Sequence, residues 1–122
     1  MKLSEFGFHD SSIDSLRFNS GTLTLLLSGV EDFRMKGTVN LSTVEVTFEG
    51  IRDIEINGGT SVNIEMGSPE GEILSLKVVD KEAQMCFYLD WFEPRRMLSR
   101  EIQFKFDSVR LTVLGRTEDF QD

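Results

Sequence analysis

Val44-Glu45-Val46-Thr47-Phe48-Glu49 exchanges apolar and polar residues at every step, the pattern of a strand with one face in a core and the other toward water. The same period of two recurs at Ile54-Glu55-Ile56, Val62-Asn63-Ile64-Glu65-Met66, Leu74-Ser75-Leu76-Lys77-Val78 and Ile102-Gln103-Phe104-Lys105-Phe106. Two further strands follow if Met85, Phe87, Leu89 and Trp91 share an inner face, with Gln84, Cys86, Tyr88 and Asp90 outside, and if Val109, Leu111 and Val113 line the last one. No window sustains a period of 3.6, so helices do not organise this chain.

Outward from these strands, Ile13 to Phe18 and Thr22 to Leu27 flank Asn19-Ser20-Gly21, whose residue types supply the positive φ of a tight hairpin. Ser28-Gly29, Asn57-Gly58-Gly59 and Gly67-Ser68-Pro69-Glu70-Gly71 punctuate the rest. Only Glu93 to Arg100 offers a short helical turn, with Pro94 at a position that a first helical turn tolerates. The expectation is an all-β, single-domain antiparallel sandwich or barrel-like meander of roughly eight to ten strands, with at most that one turn of helix. Phe48, Ile64, Leu76, Phe87, Phe104 and Leu111, each in phase with its strand's apolar set, are expected to share one interior.

The bulk composition agrees. A chain of 122 residues, 39% hydrophobic and 28% charged, with ten Phe and two Pro, can bury one core and is neither a disordered tail nor a low-complexity linker. Thirteen Lys plus Arg against 21 Asp plus Glu leave a net charge of −8. That balance disfavours nucleic acid or an anionic membrane as partner and allows a basic protein. The lone Cys86 cannot form an intrachain disulfide, residues 1–14 contain no apolar secretion core, and no apolar run approaches a bilayer span. A soluble cytoplasmic protein is expected.

Chemistry has little to stand on. His9, the one histidine, precedes Asp10, which invites an acid–base reading. Adjacent residues of an extended chain point to opposite faces, however, so no dyad is expected, and Asp10-Ser11-Ser12 reads as a turn held by its side-chain oxygens. One His and one Cys do not make a zinc site, and neither a metal nor a cofactor is expected. Asp80 and Asp90 read as solvated strand faces. There is no Gly-x-Ser-x-Gly elbow, and Gly58-Gly59-Thr60-Ser61 lacks the lysine of a phosphate loop and reads as a turn. The expectation is a protein without catalytic residues.

Charge is more informative. From Glu45 to Glu72 the chain carries Glu45, Glu49, Asp53, Glu55, Glu65, Glu70 and Glu72 against Arg52 alone, whereas Arg95, Arg96, Arg100, Lys105, Arg110 and Arg116 outweigh Glu101 and Asp107 from Arg95 to Arg116. Glu45, Glu49, Glu55 and Glu65 occupy the polar phase of their strands and are expected to gather into one acidic docking face. Phe92 and Arg95, beside Tyr88 and Trp91, form a second candidate contact surface, because rings and arginines are enriched where proteins meet.

The opening string Phe8-His9-Asp10-Ser11-Ser12-Ile13, the Leu16-x-Phe18 strand with its turn and second strand, and the later Val46-x-Phe48-Glu49-Gly50-Ile51 segment resemble small all-β bacterial immunity proteins of polymorphic toxin systems. The resemblance covers less than a third of the chain. It implies neutralisation of a cognate toxin by direct binding, without catalysis, and transfers no site residues. Two functions are thus carried forward: a binding domain, expected to be an immunity protein for a basic toxin, and a β-barrel or sandwich that holds a small ligand. The large inner-face residues favour the first, since they leave little room for a cavity.

Overall fold

The computed structural model describes residues 2–34, 40–56, 59–60, 70–92 and 95–117. A 3-10 turn at Leu3–Glu5 is followed by β1 (Phe6–Gly7), β2 (Ser12–Asn19), β3 (Thr22–Asp32), β4 (Leu41–Glu49), β5 (Arg52–Ile56), β6 (Gly59–Thr60), β7 (Glu70–Val79), β8 (Glu82–Phe92), β9 (Arg95–Lys105) and β10 (Ser108–Arg116). The strands form one antiparallel sheet in the order β10-β4-β3-β2-β7-β8-β9-β5-β6, with β1 added to β3. The expected strand at 62–66 and core residue Ile64 lie outside the described residues.

Two hairpin ribbons, β2-β3-β4 and β7-β8-β9, supply the halves. The first turns at Ser20–Gly21 with φ of 52° and 78°, and the second at Asp80–Lys81 with φ of 47° and 63°, the left-handed pair that two-residue hairpins require. Asp80 is therefore a turn residue rather than part of a strand face. The helical turn expected at Glu93 to Arg100 is not there: from Arg95 the backbone is β9, paired with β8 from Phe92↔Arg95 to Glu82↔Lys105. Eleven consecutive ladder pairs outweigh the helix preference of arginine, methionine and leucine.

The halves are joined by a bend. β4 pairs with β10 as far as Glu49↔Ser108, and β5 pairs with β9 from Arg52↔Lys105. Arg52 lies three residues after Glu49 and Lys105 three before Ser108, so the register is unchanged across the gap. Residues 41–56 and 95–116 are thus two long strands, side by side from Ser42↔Arg116 to Ile56↔Ile102 and both folding over the same corner, the device by which strands pass from one layer to another. Backbone bonds hold the corner to both hairpin turns: Ile51 N–H donates to Gly21 O at 2.9 Å and Phe106 N–H to Lys81 O at 3.0 Å. Gly50 has a φ of 71°, and a Cβ there would strike the Asp107 carboxylate. At the opposite side the halves meet along a short seam, where Ser12↔Glu72 and Ile13↔Gly71 pair and Asp10 and Ser11 exchange backbone bonds with Ile73.

The bend brings the apolar faces together. Leu23, Phe48 and Val109, then Leu25, Val46 and Leu111, then Leu27, Val44 and Val113 form three rows across β3, β4 and β10, opposed by Ile73, Met85, Phe87, Ile102 and Phe104. Phe48 meets Phe104 and Phe106 edge to face, with ring centroids 5.1 Å apart in each case. Phe48, Phe87, Phe104 and Leu111 are buried, and Leu76 packs against them half-buried, as the apolar phase required. β4 is buried more fully than a strand with one wet face, since Ser42, Thr43 and Thr47 are buried on it too.

Candidate functional site

On the outside of the second half, one row in register crosses four strands: Glu55 of β5 faces Gln103 of β9, which faces Gln84 of β8, which faces Lys77 of β7. Each is out of phase with a buried neighbour, namely Ile54, Ile102 or Phe104, Ala83 or Met85, and the half-buried Leu76 or Val78, and each is therefore turned outward. The row lies in a half-open trough of about 600 Å³ that is also lined by Asp53, Val79, Glu82 and Lys105 and floored by Ile54, Ala83 and Phe104. Lys105 Nζ stands 3.8 Å from Asp53 Oδ2 and 4.0 Å from Glu82 Oε1, so this cation is shared by two acids. Gln84 Nε2 donates to Glu101 Oε1 at 2.7 Å. Among the lining residues Asp53, Glu55 and Glu82 outnumber Lys77 and Lys105 by one, which leaves the trough slightly acidic.

Glu45, Glu49 and Glu55, three of the four acids expected on one face, do not share one. Glu55 points away from the core on the second half, while Glu45 and Glu49 point away from it on the first, so they lie on opposite sides of the molecule. Around Glu45 the surface is not acidic either, because the next row reads Arg17, Thr24, Thr47, Arg110, and Arg110 Nη2 lies 3.6 Å from Glu49 Oε1. The cause is topological. Glu45, Glu49, Asp53 and Glu55 of the acid-rich stretch lie on one long bent strand and the base-rich stretch forms the other, laid beside it so that each offsets the other. Glu65 lies outside the described residues. Phe92 and Arg95 form the last backbone pair of the β8–β9 ladder, eight residues and about 27 Å along the strands from Gln84.

A second, smaller hollow of about 460 Å³ lies at the seam between Ser12, Ile13, Asp14, Ser28, Glu72 and Tyr88. Tyr88 Oη donates to Glu72 Oε2 at 2.8 Å and Ser28 Oγ to Asp14 Oδ1 at 3.2 Å. Beside the seam, His9 and Asp10 do approach, with Nε2 and Oδ2 3.3 Å apart. The strand argument against that pair fails because Asp10 sits in a turn at φ 64°, which rotates both side chains to one side. Ser11 holds the turn by donating its hydroxyl to Phe8 O at 2.7 Å, the reverse of an oxygen accepting backbone N–H. His9 Nδ1 donates to Leu74 O at 2.6 Å. That bond, the Asp10 carboxylate and the more distant Glu72 raise the imidazole above its ordinary 6.5 against a small loss of hydration. The ring is exposed, and the hydroxyl of the adjoining Ser11 is given to Phe8 O.

One charged residue that the sequence did not single out is Asp32, whose side chain is 3% exposed. Arg34 closes on it with Nε at 2.9 Å from Oδ1, Nη2 at 2.7 Å from Oδ2 and its own backbone N–H at 3.0 Å, and its guanidinium lies 5.1 Å from the Phe6 ring centroid. Those bonds hold the Asp32 carboxyl below its ordinary range. Asp-x-Arg is a common local string, and only the strand ending that buries its first member gives it significance.

Among the described residues no group of three or more His, Cys, Asp or Glu is placed to hold a metal ion, and no helix is long and apolar enough to cross a membrane. No family model, curated protein or solved structure matches the chain.

Proposed function

We propose that this domain is a non-catalytic, cytoplasmic protein-binding module whose partner is basic, and that it acts as an immunity protein by masking a toxin surface. The observation that carries this reading is the trough of the second half, a recessed surface in which three acids exceed two bases, on a domain whose interior is filled by Phe, Leu, Ile, Val and Met side chains. A filled interior disfavours the alternative of an enclosed small ligand. Of the residues expected to make contact, the trough retains Glu55 and adds Asp53 and Glu82; Phe92 and Arg95 are paired through their backbones at the far end of the β8–β9 ribbon, and their side chains lie outside the described residues.

Affinity capture from an extract of the source cells, followed by association kinetics on the captured protein, tests the reading. A basic protein is expected, whose association slows with added salt and with charge reversal at Asp53, Glu55 and Glu82, while reversal at Glu45 and Glu49 leaves it unchanged. An association rate indifferent to ionic strength and to the three reversals removes the acidic trough as the docking surface.

A further inference from the structure

The order of residues along the row in the trough constrains what can lie there. An acid stands at one end, a base at the other, and two amides between them, each on a different strand. No ion pair from another described residue reaches Glu55 or Lys77, and Lys105, the other cation of the lining, is already held between Asp53 and Glu82. The row therefore keeps two opposite charges at its ends.

We propose that the trough binds one extended peptide segment laid across the strands, with a basic side chain over Glu55 and an acidic side chain four residues away over Lys77. The inference rests on the protein-binding reading and names the chemistry of the bound segment. Its length follows from strand geometry. Neighbouring strands are about 4.8 Å apart, so three steps separate Glu55 from Lys77 by about 14 Å, and an extended peptide covers that distance in about four residues of 3.4 Å each. Alternation then turns residues i, i+2 and i+4 to the same side, so the terminal charges and the central side chain all face the row.

The middle of the row suits a peptide. Gln103 presents a carbonyl acceptor and an NH₂ donor, and Gln84, having given one N–H to Glu101, keeps its carbonyl for an incoming N–H. Val79, on the same face as Lys77, is 68% exposed and offers an apolar contact at the edge of the trough. Three acids in the lining disfavour phosphate-rich ligands, and the one ring of the lining, Phe104, is buried and presents no exposed platform on which a sugar would stack.

The test is a titration of the full chain, followed by amide chemical shifts, with a blocked pentapeptide of sequence lysine-alanine-glutamine-alanine-glutamate. Control peptides carry lysine at both ends or glutamate at both ends. Shifts are expected around Glu55, Lys77, Gln84 and Gln103, with Kd about five-fold weaker for either control, the size of one exposed charge pair. Glu55→Lys should then prefer the peptide with two glutamates and Lys77→Glu the one with two lysines, gains that only a folded variant can show. Shifts outside the trough, or variants that do not exchange preference, overturn the proposal. If a basic protein is captured through Asp53, Glu55 and Glu82 but no peptide shifts the trough, the peptide inference alone falls. If the peptides bind with exchanged preference and no protein is captured, the inference stands and the basic-partner reading falls.

Discussion

Arg52 Nη1 lies 2.5 Å from Asp107 Oδ1, joining the corner of the β4–β5 strand to the corner of the β9–β10 strand. Both side chains are more than half exposed, so the pair itself adds little. Its position is what matters, because Asp107 also receives the space that Gly50 leaves empty.

Replacing Gly50 by alanine should therefore cost more than the same change at Gly29. Both have φ of 71°, but a Cβ at Gly29 meets nothing within 4 Å. Urea unfolding should show a loss of about 1 kcal/mol for Gly29→Ala, the left-handed penalty alone, and about 2–3 kcal/mol for Gly50→Ala, with partial recovery when Asp107→Ala is added.

Phe48→Ala should cost about 3–5 kcal/mol in the same measurement, because a fully buried ring with two edge-to-face neighbours leaves a cavity that the bent sheet cannot close. A value near that of a surface substitution would mean that the two halves do not pack through this ring.

At the second hairpin, Asp80 and Lys81 occupy left-handed positions without glycine. Asp80→Asn with Lys81→Gly should raise stability by up to about 1 kcal/mol, because asparagine and glycine adopt these angles at less cost.

Two titrations should run in opposite directions. Asp32 is held below its ordinary pKa by Arg34, so its contribution is complete above about 4 and is lost as pH falls through the folded value; Asp32→Asn should flatten that acid limb. His9 is held above 6.5, so its contribution is complete below that value and fades as pH rises through the folded one. Imidazole chemical shifts should give a pKa above 6.5 for His9, lowered in Asp10→Asn.

Much of the fold is legible in the sequence, and the reasons are local. Period two marks β4, β5, β7, β9 and β10, and Asn19-Ser20-Gly21 marks the first turn. The second turn was hidden because Asp80-Lys81 carries no glycine, and Arg95 to Arg100 was misplaced because its helical preference yields to a partner strand that no local window contains. The separation of Glu55 from Glu45 and Glu49 is hidden for a similar reason. Counting charge along the chain separates acids from bases, but pairing β4 with β10 and β5 with β9 returns them to each other's side. The row from Glu55 to Lys77 depends on the register of four strands at once and had no signal in any one of them.

The shared corner also bears on how the chain reaches its native state. Each hairpin ribbon joins residues no more than 25 positions apart and can zip outward from its turns. Pairing Phe48 with Val109 joins positions about sixty residues apart, and loop-closure entropy must be met before that contact returns anything. Refolding should thus be governed by a search in which two preformed ribbons find one register, on a scale of milliseconds to seconds. Substitutions along β4 and β10 should slow that search, whereas substitutions at Asp80 or Lys81 should act mainly on how fast the finished molecule opens.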